Sequence, residues 1–322
     1  MHVVMVSKAV VVGAYQRKLE ELAQLPGLRL TVLAPPSWRD SRGYTRLERA
    51  HVEGYQLLET PLAFNGHFHI HFYPRLAAHL RTLRPDLIHI DEEPCNLATL
   101  QGVWLAQQGG APACFFTWQN LYRAYPPPFR WFETYVFRHV SHALAGNAEA
   151  IDILRRKGYS GPVTLAPQFG VDPEIFRPFV RPPSARFVIG YAGGLVPEKG
   201  VDLLLKAVAG LPDSEVRLAG SGGQQPALAA LAQQLGLGAR VQFIPRLSSL
   251  AMPDFYAQLD VLVLPSRTAP NWKEQFGRVL IEAMACGVPV VGAASGEIPQ
   301  VIGDAGLVFP EGDALALRNH LR

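Results

Sequence analysis

A chain of 322 residues has room for two domains, and its 48% hydrophobic content supports sizeable cores and excludes a disordered chain. The formal charge of +3 is only mildly basic and no run of Lys and Arg tracks a helix face, which sets nucleic acid aside as a partner. Cys95, Cys114 and Cys286 are too few and too scattered for a disulfide framework or a thiolate metal site, so a reducing, cytoplasmic setting is expected, and no segment has the uninterrupted apolar length of a spanning helix.

In chain order, His2 to Ser7 (HVVMVS) predicts a buried first strand; Lys8 interrupts the apolar stretch Val3 to Ala14 and no charged n-region precedes it, which argues against a signal peptide. Tyr15, Leu19, Leu22 and Leu25 have helical spacing, and Gly13 falls in the first β-α turn. The G-x-G-x-x-G fingerprint is absent, so dinucleotide binding has no support. Leu28 to Ala34 predicts a second strand and residues 35–49 a polar loop. His67, His69 and His71 alternate at period two, which in an extended segment puts them on one face. Zinc there lacks an evident fourth ligand; cleft lining and an ordinary solvated face are the alternatives.

Residues 74–83 have a helical pattern, and Pro85 to Asp91 (PDLIHID) predicts a strand ending in Asp91, Glu92 and Glu93, acids that suit either a substrate contact or an ordinary loop. Ala113 to Thr117 predicts the next strand, with Trp118, Gln119, Asn120 and Tyr122 at its carboxyl end. Phe129 to Val140 is an aromatic, basic, amphipathic segment. Packing of Trp131, Phe132, Tyr135 and Val136 on a sheet is the expectation, with a membrane surface as the alternative partner. His142 to Gly146 predicts a strand, Asn147 an N-cap, and residues 148–157 a helix closed by Gly158.

Residues 177–186 are Pro-rich without apolar periodicity, which predicts a linker between domains at 1–180 and 187–322. After a strand at Phe187, the segment YAGGLVPEKG (191–200) opens a helix. Gly193 and Gly194 there permit close backbone approach, and Lys199 can reach a phosphate. Glu215 to Ala219 predicts a strand ending in the Gly220 to Gly223 turn, then an Ala-rich helix, then a strand at Val241 to Ile244 followed by Arg246. Asp260 to Pro265 and Val288 to Gly292 flank a helix expected from Phe276 to Cys286, a parallel β-α-β unit. The loop before that helix lies where open α/β sheets bind ligands, and the N–H groups of Gln275, Phe276 and Gly277 suit an anion. Glu282, on an otherwise apolar helix, is either buried and matched by donors or a solvent-facing partner of Arg278.

Glu274 and Glu282, with seven residues between them, FG after the first and EAMA at the second, resemble the E-x7-E motif of family 4 glycosyltransferases. These are retaining nucleotide-sugar enzymes of the GT-B fold. GVDPEIF (170–176), the glycine-lysine segment at 193–200 and the GSG turn are similar to other motifs of that family, and in its order. The resemblance implies an α/β chain of two Rossmann-like domains with parallel sheets facing a central cleft. It implies transfer of a sugar from a nucleotide diphosphate sugar to a hydroxyl acceptor (glycan, lipid or small molecule), with no metal and no further cofactor.

The resemblance assigns Glu274 to the transferred sugar, Gln275 through Val279, including Phe276 and Gly277, to sugar and phosphate, and Glu282 to the ribose. Lys199 with Gly193, Gly194 and Gly220 is assigned to the diphosphate and Arg246 to the region of the base, while Gly13, Glu92, Trp118 and Gln119 fall on the acceptor side. Gln119, Lys199 and Glu274 are the expected catalytic groups. Two departures stand out: Gln119 occupies the place of a family His, and Gly194 that of an Arg, for which Arg246, Arg267 or Lys273 are candidate replacements. The chain also stops before the final helices of family members. A nucleotide-sugar epimerase and a non-catalytic nucleotide-sugar-binding protein are the rival readings, and peripheral contact with the inner face of a membrane is a further expectation.

Overall fold

The computed structural model describes residues 1–40, 43–179 and 186–322, in two units, Met1–Pro167 and Gln168–Arg322. The expected linker lies largely outside the described residues. Residues 168–179, expected in the first domain, belong to the second unit, because Phe176 is buried in its core against Tyr256.

The first unit runs β1 (His2–Val6), α1 (Arg17–Ala23), β2 (Arg29–Ala34), β3 (Ser37–Asp40), β4 (Gly43–Arg46), β5 (Gln56–Glu59), α2 (Leu76–Leu83), β6 (Leu87–Ile90), α3 (Leu97–Gly109), β7 (Ala113–Thr117), α4 (Phe129–His139), β8 (His142–Ala145), α5 (Ala148–Arg156) and β9 (Val163–Leu165). A parallel sheet has the order β5-β2-β1-β6-β7-β8-β9. Strands β1 and β7 are buried at every position, as a parallel sheet covered on both faces requires. The strand order reverses at β1, between β2 and β6, so the carboxyl ends of β1 and β6 form a switch point where such sheets take ligands.

Three expectations for this unit change. Residues 35–49 are not simply loop, since β3 and β4 pair antiparallel with Trp38 opposite Thr45. The first helix begins only at Arg17: two 3-10 turns follow β1, and the buried Gln16 amide ties Val10 O to Glu48 O. Leu19 therefore faces the core while Leu22 and Leu25 are exposed. On α4, Val136 and Glu133 take the buried face and Trp131 is 66% exposed, so Trp131 does not pack on the sheet. The cap at Asn147 is as expected, its side chain accepting from Ala150 N at 2.8 Å.

The second unit runs β10 (Phe187–Ala192), α6 (Val201–Val208), β11 (Ser214–Ala219), α7 (Gln225–Gln234), β12 (Val241–Ile244), α8 (Met252–Tyr256), β13 (Val261–Leu264), α9 (Arg278–Ala285), β14 (Val290–Ala293), α10 (Ile298–Ile302), β15 (Leu307–Phe309) and α11 (Ala314–His320). Its parallel sheet has the order β12-β11-β10-β13-β14-β15, with a second switch point between β10 and β13. Ile189, Val263, Leu264 and Leu280 lie in one core, each worth roughly 1.5–3 kcal/mol on full burial. That core fixes the strand ends on which the site is built.

Candidate functional site

In the second unit the turns after β10 and β11 are bonded to their neighbours, Gly193 N donating to Ala219 O at 2.9 Å and Gly220 N to Ile244 O at 3.0 Å. A Cβ added at Gly220 would lie 1.8 Å from Gly193 O, so only glycine permits this approach. Gly194 follows, its carbonyl accepting from the buried Tyr191 hydroxyl at 2.7 Å. The chain then turns through Pro197–Lys199 into α6.

Lys199 closes the site. Its Nζ lies 2.5 Å from Glu274 Oε2 and 4.8 Å from the centre of the Trp272 ring, and Ser266 Oγ donates to the same carboxylate oxygen at 3.0 Å. The residues come from the carboxyl ends of β10 and β13, on both sides of the switch point. Glu274 is buried, and its carbonyl accepts from Glu297 N. The arrangement holds an ammonium and a carboxylate in register, one suited to phosphate oxygens and the other to sugar hydroxyls.

Helix α9 starts at Arg278, not Phe276, because Gly277 has φ +82° and ψ 52°, a left-handed conformation outside the helix. The N–H groups of the first turn are therefore those of Arg278 and Val279, and Gln275 and Phe276 precede it. Gln275 is exposed, and the Phe276 ring packs against Phe169 with centroids 5.4 Å apart. Val279 packs on the core.

Glu282 is 3% exposed, which removes the solvent-facing alternative, yet Arg278 is its partner. Arg278 Nε donates to Oε1 at 2.8 Å and Tyr256 Oη to Oε2 at 2.7 Å. Burial pushes the Glu282 carboxyl up, and Arg278 and Tyr256 work against that. The Tyr256 hydroxyl is raised by the same burial and by Glu282 itself. Of the candidate replacement cations, Arg267 is committed elsewhere: both its terminal nitrogens lie 2.9 Å from the Asp202 carboxylate on α6, which Lys206 also shares. Arg246 is exposed on the loop after β12, and Lys273 is half-buried in the loop before α9.

In the first unit the acids after β6 do different work from that expected. Glu92 does not present itself to a ligand: its side chain has no exposed surface and is ion-paired with Lys8, with His71 Nε2 3.3 Å from Oε1. Burial alone would raise its carboxyl, but Lys8 and His71 outweigh that and hold it below the ordinary value. Glu93, half-buried, accepts from Thr117 Oγ1 at 2.5 Å and Trp118 N at 2.9 Å and so fixes the start of the loop after β7; burial pushes its carboxyl up.

Gln119, next on that loop, accepts from Lys157 Nζ at 2.9 Å and donates to Tyr125 Oη at 3.2 Å. Gly13 is buried and its N–H is bound to Glu48 Oε2 at 2.6 Å. Lys8 and Lys157 are the residues that sequence reasoning missed. The signal for Lys8 was its place in an otherwise apolar run, just past the first strand.

The three histidines do not share a face. His71 N bonds to His67 O in a turn, so the segment is not extended; His71 is buried, His69 bonds to Asn96 at 3.1 Å, and His67 is exposed. Among the described residues no group of three His, Cys, Asp or Glu side chains is arranged to hold a metal, and no helix is long and apolar enough to cross a membrane.

With this geometry in hand, the comparisons with known proteins align with both units. The profile "Glycosyl transferase 4-like domain" matches residues 12–167 and "Glycosyl transferases group 1" matches residues 172–322. The chain is 37% identical over 148 residues to D-inositol 3-phosphate glycosyltransferase of Mycolicibacterium smegmatis, covering 42% of this chain and 33% of that protein. It is 29% identical over 271 residues to 2-deoxystreptamine N-acetyl-D-glucosaminyltransferase of Streptomyces fradiae, covering 74% of this chain and 62% of that protein. The chain thus spans less than two thirds of either relative's length.

Among solved structures, Anabaena HepE in complex with UDP superposes with TM-score 0.73 at 20% identity, over 99% of this chain and 88% of that one. Sucrose-phosphate synthase of Thermosynechococcus elongatus superposes with TM-score 0.72 at 20% identity, over 100% and 88%. These likenesses concern the fold. With a glycosyltransferase profile on each parallel-sheet unit and glycosyltransferases as relatives, the chain belongs to the family 4-type GT-B glycosyltransferases.

Proposed function

We propose that the protein transfers a sugar from a nucleoside diphosphate sugar to a hydroxyl acceptor with retention at the anomeric carbon, the donor being held by the second unit. The observation that carries this reading is the Lys199–Glu274 pair at 2.5 Å across the switch point of that unit's sheet. The ammonium would meet the diphosphate and stabilise the charge that develops as it leaves, and the carboxylate would be released to the sugar hydroxyls. Glu282, on α9, would take the ribose diol, and the first-turn N–H groups of Arg278 and Val279 would face the phosphates. In the first unit, Gln119 would meet substrate by hydrogen bonding. The chemistry so assigned to side chains and helix N–H groups requires no metal.

A UDP-linked hexose is the first donor to test, since Anabaena HepE was solved with UDP and with UDP-glucose. Small polyols are the first acceptors, because one relative is named for D-inositol 3-phosphate. The exposed Trp131 between Arg130 and the last-turn Arg138 favours peripheral contact with the cytoplasmic face of a membrane, read by co-sedimentation with anionic vesicles.

The test follows radiolabel from UDP-glucose. Label in a larger product, insensitive to chelator, supports the transferase; free UDP-galactose would indicate an epimerase, and binding without turnover a non-catalytic protein.

A further inference from the structure

We propose that Lys157 is a positioning residue that locks the side-chain amide of Gln119 in one orientation, so that Gln119 meets substrate as a hydrogen-bond donor only. This rests on the proposed contact of Gln119 with substrate and goes beyond it by naming the group that sets its polarity. Lys157 caps the carboxyl end of α5 with its side chain 4% exposed. Its Nζ lies 2.6 Å from Glu133 Oε1 on α4, 2.9 Å from Gln119 Oε1 and 4.6 Å from the centre of the Tyr125 ring. Three elements of the first unit, α4, α5 and the loop after β7, therefore converge on one buried ammonium.

The chemistry of that ammonium decides the orientation of the amide. It has three donors and no acceptor, so the oxygen of Gln119 must face it; the flipped amide would set N–H against N–H with no acceptor between them. Glu133 supplies the opposite charge that keeps the buried ammonium in place. At the other end of the amide, Nε2 donates one proton to Tyr125 Oη and retains a second. The backbone is fixed as well, because Gln119 N donates to Thr117 Oγ1 at 3.1 Å and that hydroxyl donates to Glu93. An amide held in this way offers a directed N–H that does not titrate, in contrast to an imidazole.

The experiment combines an amide probe with a double-mutant cycle. In protein labelled with nitrogen-15 glutamine, the Gln119 side-chain signals are identified by their loss in Gln119→Ala. Lys157→Met should shift them and speed their hydrogen exchange, whereas unchanged signals would overturn the lock. In turnover of UDP-glucose, Lys157→Met should lower kcat roughly tenfold and leave KM within about twofold, as expected for lost transition-state contact. In the Gln119→Ala background the same change should cost nothing further.

Equal losses in both backgrounds would make Lys157 merely structural and overturn the proposal, while leaving the role of Gln119 intact. Full turnover by Gln119→Ala alone would remove the substrate contact, and the proposal with it. Because Lys157→Met leaves Glu133 buried without its cation, the cycle is repeated with Lys157→Met/Glu133→Leu, which removes both charges and should show the same dependence on Gln119.

Discussion

Glu92 in the first unit and Glu282 in the second are both buried carboxylates at 3% exposure, and their surroundings shift them in opposite directions. Glu92 has Lys8, His71 and Asn96 around it and is kept below its ordinary pKa in spite of burial. Glu282 has one guanidinium nitrogen and one hydroxyl, and burial wins: its carboxyl is pushed up. The first is matched in charge by Lys8 within the fold, its Oε1 facing His71 without a hydrogen bond. The second retains a desolvation cost that further donors, such as two ribose hydroxyls, would relieve. A buried carboxylate on an open α/β sheet is therefore read by its partners and not by its burial.

The sharpest way to break this comparison is to remove one partner of the structural pair. Lys8→Met leaves Glu92 uncompensated and should destabilise the first unit by roughly 3 to 5 kcal/mol. Calorimetric unfolding of the variant checks this, and a melting curve close to that of the wild type would show that Glu92 does not depend on Lys8.

Next in size is Lys199→Ala. The lost ammonium should weaken UDP binding roughly tenfold, about 1.4 kcal/mol, and leave uridine binding unchanged. Equal losses for UDP and uridine would place Lys199 away from the phosphates.

The smallest effect is in pH. The folded pKa of Glu92 is depressed, so its contribution to stability is fully present above about 4.5, its ordinary value, and is lost as pH falls through the folded pKa. The folded pKa of Glu282 is raised, so its contribution runs the other way: the protein loses stability as pH climbs from about 4.5 through the folded value. Urea titrations across this range should show Glu92→Gln flattening the acid decline and Glu282→Gln flattening the decline above it. A Glu282→Gln curve parallel to the wild type would show that the carboxylate carries no such cost.

Much of the second unit was legible because its strands are short apolar runs between turn residues. Strand β12 falls where Val241 to Ile244 predicted it, and β13 and β14 fall within one or two residues of their expected bounds. The start of α9 was not legible, because whether a glycine lies inside a helix or in a left-handed turn before it depends on chain geometry and not on residue type. Strand β5 went unseen because it is short, half polar and at the sheet edge. Helix α3 went unseen because its apolar residues form no single stripe.

For the site, the family resemblance singled out Glu274, Glu282 and Lys199, while the residues alone left the burial of Glu282 open and gave no sign of what joins distant positions. Lys8 and Glu92 are 84 residues apart, and Lys157 is 38 from Gln119. The alternation of His67, His69 and His71 misled because the segment turns where an extended backbone was assumed.

In the proposed function the second unit binds the nucleotide and Glu282 takes its ribose. Calorimetric titration of UDP into wild type and Glu282→Gln tests this most directly. The substitution should raise Kd roughly tenfold or more, the worth of a hydrogen bond to a charged acceptor, with a melting temperature within about 2 °C of wild type. An unchanged Kd in a folded Glu282→Gln protein would contradict it and leave Glu282 a structural partner of Arg278 and Tyr256.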